Sequence, residues 1–398
     1  MGFHLDMLEA GAPRSEVLLS IVRSDEYLDH AGAQVDLRPD ASDEVFLTSA
    51  YQTLLHRDPD PEGLSFYQRL LKEGAERGGV VRALLGSDEH VNRVTAGLYH
   101  LPSLRRSWPD RYVEARSRAG GSVLAFHAPT PDWFDRLEAA ILSSDYYDKP
   151  GIWEFTLNRD KRLMAEIVGA LEPTCVLEIG CSNGTVLRCL HERGIEVTGL
   201  DISASAVARA DPSIRDSIRV GDLLTARLPK TYDVVFGLDV FEHLNPNKLG
   251  ACLSQVRKLT NPGGYVLTNL PAFGDDPVFG TVFAIDLEEW GRDAAARRPF
   301  SLLPVDEDGY PFHGHLVWAD SAWWVRQFEG AGLRRQPAIE RALHQRYDEY
   351  MKRNSPGRRS FYVFSRDADV DAAASLAHRI GRTGSVVLGR EWNQAPAD

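Results

Sequence analysis

The residues best suited to chemistry are an acid and the glycine-containing turn that follows it, Glu178 and the segment 180–184, Gly-Cys-Ser-Asn-Gly. Gly180 and Gly184 would let the backbone approach a ligand more closely than bulkier residues could. A dinucleotide site would instead require Gly-x-Gly-x-x-Gly, which seats a pyrophosphate on a helix N-terminus. The carboxylate of Glu178 would repel phosphate but would attract a cationic amino-acid ligand.

The surrounding segment predicts the elements that position this turn. In order we expect a buried strand, the turn, a helix and a second buried strand, over Val176–Ile179, 180–184, Thr185–Arg193 and Ile195–Leu200. Asp201 directly follows the second strand, where it could accept hydrogen bonds from a ribose diol. The alternative is a turn of the same shape that binds no ligand.

Downstream, strands continue to alternate with helices, which predicts an α/β fold with a doubly wound sheet. The later strands are expected at Ile218–Val220, Tyr232–Gly237, Tyr265–Asn269 and Ser360–Ser365. Ligands of such sheets bind beyond the carboxyl ends of the strands. Four expected strand ends carry a glycine or an acid: Gly180, Asp201, Asp222 and Asp239.

Taken in order along the chain, these positions resemble those of the class I S-adenosylmethionine-dependent methyltransferases, and the resemblance covers about residues 155–365. Ser182 replaces the middle glycine of the family's acid-x-Gly-x-Gly-x-Gly turn. The resemblance implies a Rossmann-like fold and S-adenosyl-L-methionine as cofactor. Asp201 would hold the ribose, Ile202 would pack on the adenine, and Asp222 would accept from its amino group. The implied cofactor-binding residues are Glu178, Gly180, Cys181, Ser182, Gly184, Asp201, Ile202, Asp222, Leu223 and Asp239.

Three histidines are predicted to be catalytic. His243 follows the fourth strand as part of a Glu-His pair that recurs in small-molecule methyltransferases of this class. It could remove a proton from a hydroxyl acceptor, or it could simply hold the loop. His313 and His315 lie in an unusually long insertion, 271–320, predicted to build the acceptor pocket. They could also be metal ligands, but no carboxylate partner is evident, so no metal is predicted.

The N-terminal part, 1–95, is predicted to be a helical accessory domain with an internal repeat. Two apolar helical stretches are each followed by Ser-Asp-Glu, at 24–26 and 87–89. The segment 42–93 resembles a small all-helical bacterial domain of unknown function that accompanies surface-glycan and exopolysaccharide enzymes. Asp60 lies in an acidic turn, which we expect to cap the next helix because a complete calcium loop is missing.

The remaining domain boundaries follow from composition. Residues 96–150 are expected to be a linker with a lead-in helix, 151–366 the methyltransferase domain, and 367–398 a tail. The net charge of −12 disfavours nucleic acid as a partner. The pairs Arg334-Arg335 and Arg358-Arg359 are interpreted as solvated surface. With no signal peptide or membrane span evident, a cytoplasmic location is expected.

The predicted function is methyl transfer to a small-molecule or glycan acceptor, with a sugar hydroxyl in bacterial polysaccharide biosynthesis as the specific expectation. One alternative is an N- or C-methyltransferase of a secondary metabolite. Another is a scaffold that binds S-adenosylmethionine without catalysis. The helical domain is expected to serve in protein docking or assembly.

Overall fold

The computed structural model describes residues 2–9, 12, 14–35, 41–87, 89–91, 93–94, 101–144, 146–148, 157–228, 230–367 and 369–382. The chain forms two units, one comprising Met1–Leu101 with Asp145–Trp153 and the other Pro102–Ser144 with Glu154–Asp398. Within the described residues, every helix is too short or too polar to span a lipid bilayer.

The smaller unit contains helices throughout its described residues: α1 (Gly2–Glu9), α2 (Arg14–Val22), α3 (Asp25–Gly32), α4 (Asp43–Leu55), α5 (Pro61–Lys72) and α6 (Arg77–Leu85). Buried side chains of α3, α4 and α6 form its core. Asp60 caps α5 by accepting a hydrogen bond of 2.8 Å from the Gly63 amide, which confirms the predicted capping turn.

The internal repeat corresponds to two helix starts. The Ser24 side chain caps α3 by accepting from the amide of Tyr27, and Ser87 accepts in the same way from the amide of His90. Both serines satisfy an amide that has no partner within the first turn of a helix. The Asp88 position of the second copy lies outside the described residues.

A seven-stranded sheet forms the centre of the larger unit. Its strands are β3 (Cys175–Ile179), β4 (Glu196–Asp201), β5 (Ile218–Val220), β6 (Tyr232–Leu238), β7 (Thr260–Asn269), β11 (Arg334–Arg335) and β12 (Phe361–Ser365). The strand order is β11-β12-β7-β6-β3-β4-β5. Strands β3 to β7 run parallel, while β12 is antiparallel to β7 and β11 to β12. This arrangement confirms the predicted Rossmann-like, doubly wound α/β fold.

Helices cover both faces of this sheet because successive strand residues point to opposite sides. Val176 and Val234 belong to one core cluster, whereas their neighbours Leu177 and Val235 belong to the other. The covering helices are α9 (Arg159–Gly169), α10 (Thr185–His191), α11 (Ala204–Ala208), α12 (Leu249–Leu259), α14 (Ser321–Gly330), α15 (Pro337–Asn354) and α16 (Val370–Arg382). The last of these lies in the predicted tail and packs its apolar stripe into the core.

The predicted linker is the main difference between expectation and structure. Residues 102–144 belong to the larger unit and form α7 (Leu104–Ser107), β1 (Tyr112–Arg116), β2 (Ser122–His127) and α8 (Asp132–Ser143). The side-chain amide of Asn245, just after β6, donates to carboxylates of α8, 2.7 Å to Asp135 and 3.0 Å to Glu138. The larger unit therefore begins near Pro102, inside the predicted linker.

The long insertion is itself structured and pairs with that same stretch. It contains β8 (Ala272–Phe273), α13 (Glu288–Ala295), β9 (Leu302–Pro304) and β10 (Ala319–Asp320). Strand β9 pairs antiparallel with β2, which completes a three-stranded sheet in the order β1-β2-β9. Side chains from both segments, including Ala125, Phe273, Trp290 and Phe300, share one apolar cluster.

Candidate active site at the carboxyl edge of the sheet

The glycine turn lies where the strand order reverses, with β4 and β5 on one side of β3 and β6 and β7 on the other. Such a switch point is the usual ligand crevice of an open α/β sheet. The Gly180 amide donates to the Leu200 carbonyl at 2.8 Å, which fixes the start of the turn. Gly180 has φ +66°, and an added Cβ would lie 2.3 Å from Cγ2 of Val240.

The second glycine, also predicted to bind the cofactor, packs closely against neighbouring side chains. Gly184 begins α10 with φ +74°, and a Cβ there would lie 2.5 Å from Cδ1 of Ile214 and 2.8 Å from Cδ1 of Ile218. It therefore permits close packing of the helix against neighbouring side chains, which is a structural requirement. Ser182, in place of the family's middle glycine, also adopts a left-handed conformation with φ +51°.

The carboxylate of Asp201 joins the turn to the end of β4. It accepts from the backbone amides of Ser182 at 2.6 Å and of Ser203 at 2.8 Å, one on each oxygen. A carboxylate at the end of this strand is the group that can accept hydrogen bonds from a ribose diol. Ile202, predicted to pack on an adenine, is 48% exposed beside it.

Glu178 provides a buried carboxyl group beneath the turn. It is 5% exposed, and its Oε2 has no hydrogen-bond partner in the described part of the chain. Burial raises the pKa of Glu178 to about 8, with Lys161 acting against the shift and Asp201 adding to it. An ammonium group placed here would supply the missing partner, so this site fits the methionine end of S-adenosylmethionine. The Cys181 side chain, by contrast, is buried in the core.

The other predicted adenine contacts lie after β5. Asp222 is exposed, and one of its oxygens accepts from the Leu224 amide at 2.7 Å. The Leu223 side chain is buried in the core, whereas that of Leu224 is 41% exposed. Leu224, which the sequence analysis did not select, therefore presents the more accessible apolar side chain at this strand end.

Asp239 follows β6 with φ +54° and forms an ion pair with Arg358. Nη1 of Arg358 also donates to Oδ1 of Asn269 at 3.2 Å, so it connects the ends of β6 and β7. The interpretation of the arginine pairs as solvated surface was therefore wrong for Arg358. It was also wrong for Arg335, whose side chain is 9% exposed and paired with two carboxylates.

A cluster of three histidines and one glutamate lies near the carboxyl end of β6. The imidazole centroids of His243 and His315 are 4.8 Å apart, and those of His313 and His315 are 5.6 Å apart. The amides of Leu316 and Val317 both donate to the Glu242 carbonyl at 2.8 Å. These two bonds hold the insertion against the end of β6 and bring together the three histidines predicted as catalytic.

The environment keeps the two inner imidazoles neutral. Burial, together with His313, lowers the pKa of His243 to about 4, although hydrogen bonds to the carbonyls of Gly314 and Asp239 act in the opposite direction. Burial and the other two histidines lower the pKa of His315 to about 2. A base of such low pKa takes a proton from a hydroxyl poorly, which does not favour the general-base role predicted for His243.

Glu242 is the residue that sequence reasoning overlooked. It is completely buried, and within the described ranges neither of its carboxylate oxygens has a hydrogen-bond partner. Burial, reinforced by Asp239, raises the pKa of Glu242 well above its ordinary value. Oε1 of Glu242 lies 3.9 Å from Nε2 of His315. The sequence signal was the Glu-His pair itself, in which only the histidine was assigned a role.

Two segments match known families. Residues 176–264, which begin in β3 and include the glycine turn and β6, match the family described as a methyltransferase domain. The chain contains a class I S-adenosylmethionine-dependent methyltransferase domain. Residues 33–94 match a domain of unknown function, DUF4214, which agrees with the resemblance noted for the N-terminal part.

Curated relatives of this methyltransferase domain include two ubiquinone biosynthesis O-methyltransferases. That of Paraburkholderia xenovorans is 35% identical over 98 residues, which are 23% of this chain and 41% of the relative. That of Nitrosomonas europaea is 34% identical over 109 residues, 25% of this chain and 45% of the relative. The match thus spans less than half the length of these relatives.

Solved structures with similarity to the methyltransferase domain include DesVI of Streptomyces venezuelae, at 17% identity and a TM-score of 0.37, covering 52% of this chain and 92% of that chain. CalS10, an amino pentose methyltransferase from Micromonospora echinaspora, is 22% identical with a TM-score of 0.27, and the match covers 33% of this chain and 57% of that chain. At such low TM-scores, the fold assignment rests on the strand order of the chain itself.

Proposed function

We propose that this chain transfers a methyl group from S-adenosylmethionine to a hydroxyl oxygen of a small-molecule or glycan acceptor. The observation that carries the proposal is the contact between Gly180 and Val240. It places the turn that would hold the methionine end of the cofactor beside the segment that continues into Glu242 and His243. The donor and acceptor sites would therefore meet at the switch point of the sheet.

The ubiquinone biosynthesis relatives are named as O-methyltransferases, which supports oxygen as the receiving atom. A sugar hydroxyl as acceptor is favoured by the resemblance of the N-terminal domain to those of glycan enzymes.

The chemistry is an in-line displacement in which the site mainly positions the reactants. A lone pair of the acceptor oxygen forms the new bond to the methyl carbon while the bond from carbon to sulfur breaks. S-adenosylhomocysteine leaves as a neutral thioether, and the hydroxyl proton passes to a base or to water. The buried Glu178 and the carboxylate of Asp201 would orient the cofactor for this step.

Calorimetry with S-adenosylmethionine tests the cofactor site. We expect micromolar binding by the full chain and a loss of about 5- to 150-fold in Asp201→Asn, which corresponds to about 1–3 kcal/mol. Asparagine keeps an acceptor for one turn amide but loses the charge. The exposed Asp216→Asn serves as a control that should bind as the wild type does. Unchanged affinity in Asp201→Asn would remove this residue from the cofactor site.

Methyl transfer is then followed with labelled cofactor against a panel of glycans, phenols and amines. Labelled ether products would support the proposal, and labelled amines would contradict oxygen as the receiving atom. Cofactor binding without turnover on any member of the panel would favour a scaffold instead.

We also propose that the smaller unit is an accessory that contributes little to the chemistry. A chain beginning at Pro102 should bind S-adenosylmethionine within about threefold of the full chain. A chain beginning at Ser122 should fail to fold correctly, because it lacks β1, the antiparallel partner of β2. A folded chain from Pro102 that cannot bind the cofactor would show that the smaller unit belongs to the site.

A further inference from the structure

The completely buried carboxylate of Glu242 requires a partner that the surrounding protein does not supply. Within the described residues, neither oxygen accepts a hydrogen bond. Among the described residues, Arg358 acts on this carboxylate electrostatically, but it is already paired with Asp239. A buried carboxyl group without hydrogen-bond partners is costly when neutral, and when ionised it is stable only if it is paired or binds a cation.

Two imidazoles face this carboxylate. One ligand atom from each of Glu242, His243 and His315 can be chosen so that all three lie within 4.8 Å of one another. Nδ1 of His315 is buried, also without a hydrogen-bond partner in the described part of the chain. The backbone carbonyls of Gly314 and Asp239 interact with the His243 ring. A hydrogen bond from one ring nitrogen to a carbonyl is the usual means by which proteins orient a histidine whose other nitrogen binds a metal.

We propose that Glu242, His243 and His315 bind one divalent transition-metal ion at the carboxyl end of β6. The cation would bind the acceptor oxygen beside the methyl donor, and this second part rests on the proposed function. The metal site itself does not depend on it. His243 would then be a ligand, in place of the general-base role that the sequence suggested.

The ligand set indicates the class of metal. Two imidazole nitrogens with one carboxylate suit zinc, manganese, iron or cobalt, whereas magnesium and calcium prefer oxygen ligands throughout. Three protein ligands leave coordination positions open, as in catalytic rather than structural sites. An alcohol or phenol bound there would become more acidic, so its proton could leave to water without a strong protein base.

The acceptor class follows from this arrangement. The acceptor must offer an oxygen that can bind the cation while remaining in line with the methyl group. A vicinal diol or a catechol would fit best, because a second oxygen could occupy a further open position. Sugars with adjacent hydroxyls belong to this class.

The test uses the full chain, dialysed against a chelator and then titrated with cobalt(II). Visible absorption and calorimetry report binding, and circular dichroism checks the fold. We expect one cobalt ion per chain with micromolar or tighter affinity, and at least a ~100-fold loss in both Glu242→Gln and His315→Gln. The exposed His191→Gln, in the same unit, is the matched control and should bind cobalt as the wild type does.

Absence of stoichiometric cobalt binding by the folded wild type would overturn the proposal, as would equal binding in folded Glu242→Gln. A rise in melting temperature with cobalt, present in the wild type and lost in His315→Gln, would support it even if Glu242→Gln misfolds. S-adenosylmethionine calorimetry on the same samples separates the two proposals. Cobalt binding without cofactor binding would contradict the proposed function but not the metal site. Cofactor-dependent methylation by metal-free protein would contradict only the role of the metal in the reaction.

Discussion

Replacing Gly180 with alanine is expected to lower the affinity for S-adenosylmethionine by at least about 100-fold. The new Cβ would lie 2.3 Å from Cγ2 of Val240, and the left-handed φ of +66° disfavours any residue with a Cβ. Strain of about 1–2 kcal/mol from the backbone and about 1–3 kcal/mol from overpacking can be relieved only by displacement of the turn. Calorimetry measures the affinity, and urea denaturation measures the accompanying loss of stability.

Gly194→Ala is the matched control for this prediction. Gly194 has φ +75°, but apart from Gly194 and its two chain neighbours no atom of the described residues lies within 4 Å of the position that its Cβ would take. This variant should lose about 1–2 kcal/mol of stability through backbone strain and bind the cofactor normally. In the double variant with Val240→Ala, the clash is removed and part of the affinity should return. Wild-type binding by Gly180→Ala alone would mean that the turn does not hold the cofactor.

Replacing Arg335 with methionine is expected to reduce the free energy of unfolding by about 3–5 kcal/mol, the usual cost of removing one partner from a buried ion pair. The Arg335 guanidinium donates to Asp276 at 2.8 Å and to Glu340 at 2.8 Å, and it lies over the ring of Tyr362. Both carboxylates are almost completely buried, so the substitution leaves them without their cation.

This charged cluster also anchors the insertion. Burial alone would raise the pKa of Asp276, but hydrogen bonds from Arg335 and Ser321 hold it below its usual value. Asp276 lies at the start of the insertion, whereas Glu340 belongs to α15 and also accepts from the amide of Val363 in β12. We therefore expect Arg335→Met to loosen the insertion and to weaken the acceptor site along with the fold.

The adjacent Arg334→Met provides the control, because Arg334 is exposed on the same short strand. Its effect should stay within about 0.5 kcal/mol, as for most surface substitutions. Urea denaturation of both variants gives the comparison. Equal stabilities of the two variants would show that the buried cluster contributes nothing measurable.

Local patterns in the sequence were sufficient to predict the sheet and the helical domain. Short apolar runs followed by a glycine or an acid occur before Gly180 and Asp201. Such a run indicates a buried strand that ends at the ligand edge of a sheet, and it can be recognised from a few consecutive residues. The capping of α5 by Asp60 was predictable for the same reason, since a cap depends on the next three residues. Glycine requirements were predictable only in part: Gly184 is needed for packing against Ile214, a contact that no local pattern indicates.

Tertiary structure alone determined which distant groups meet. The sequence by itself indicated a methyltransferase domain, a glycine turn and three histidines that we predicted to be catalytic. It did not show that Glu242 is buried beside His315, because the insertion is positioned by backbone hydrogen bonds formed only in the folded chain. Nor did it show that Arg335 is internal or that β2 pairs with β9. Burial and strand pairing depend on contacts between segments that are distant in the sequence. These contacts determine whether a charged side chain is exposed to solvent, stabilises the fold or binds a ligand.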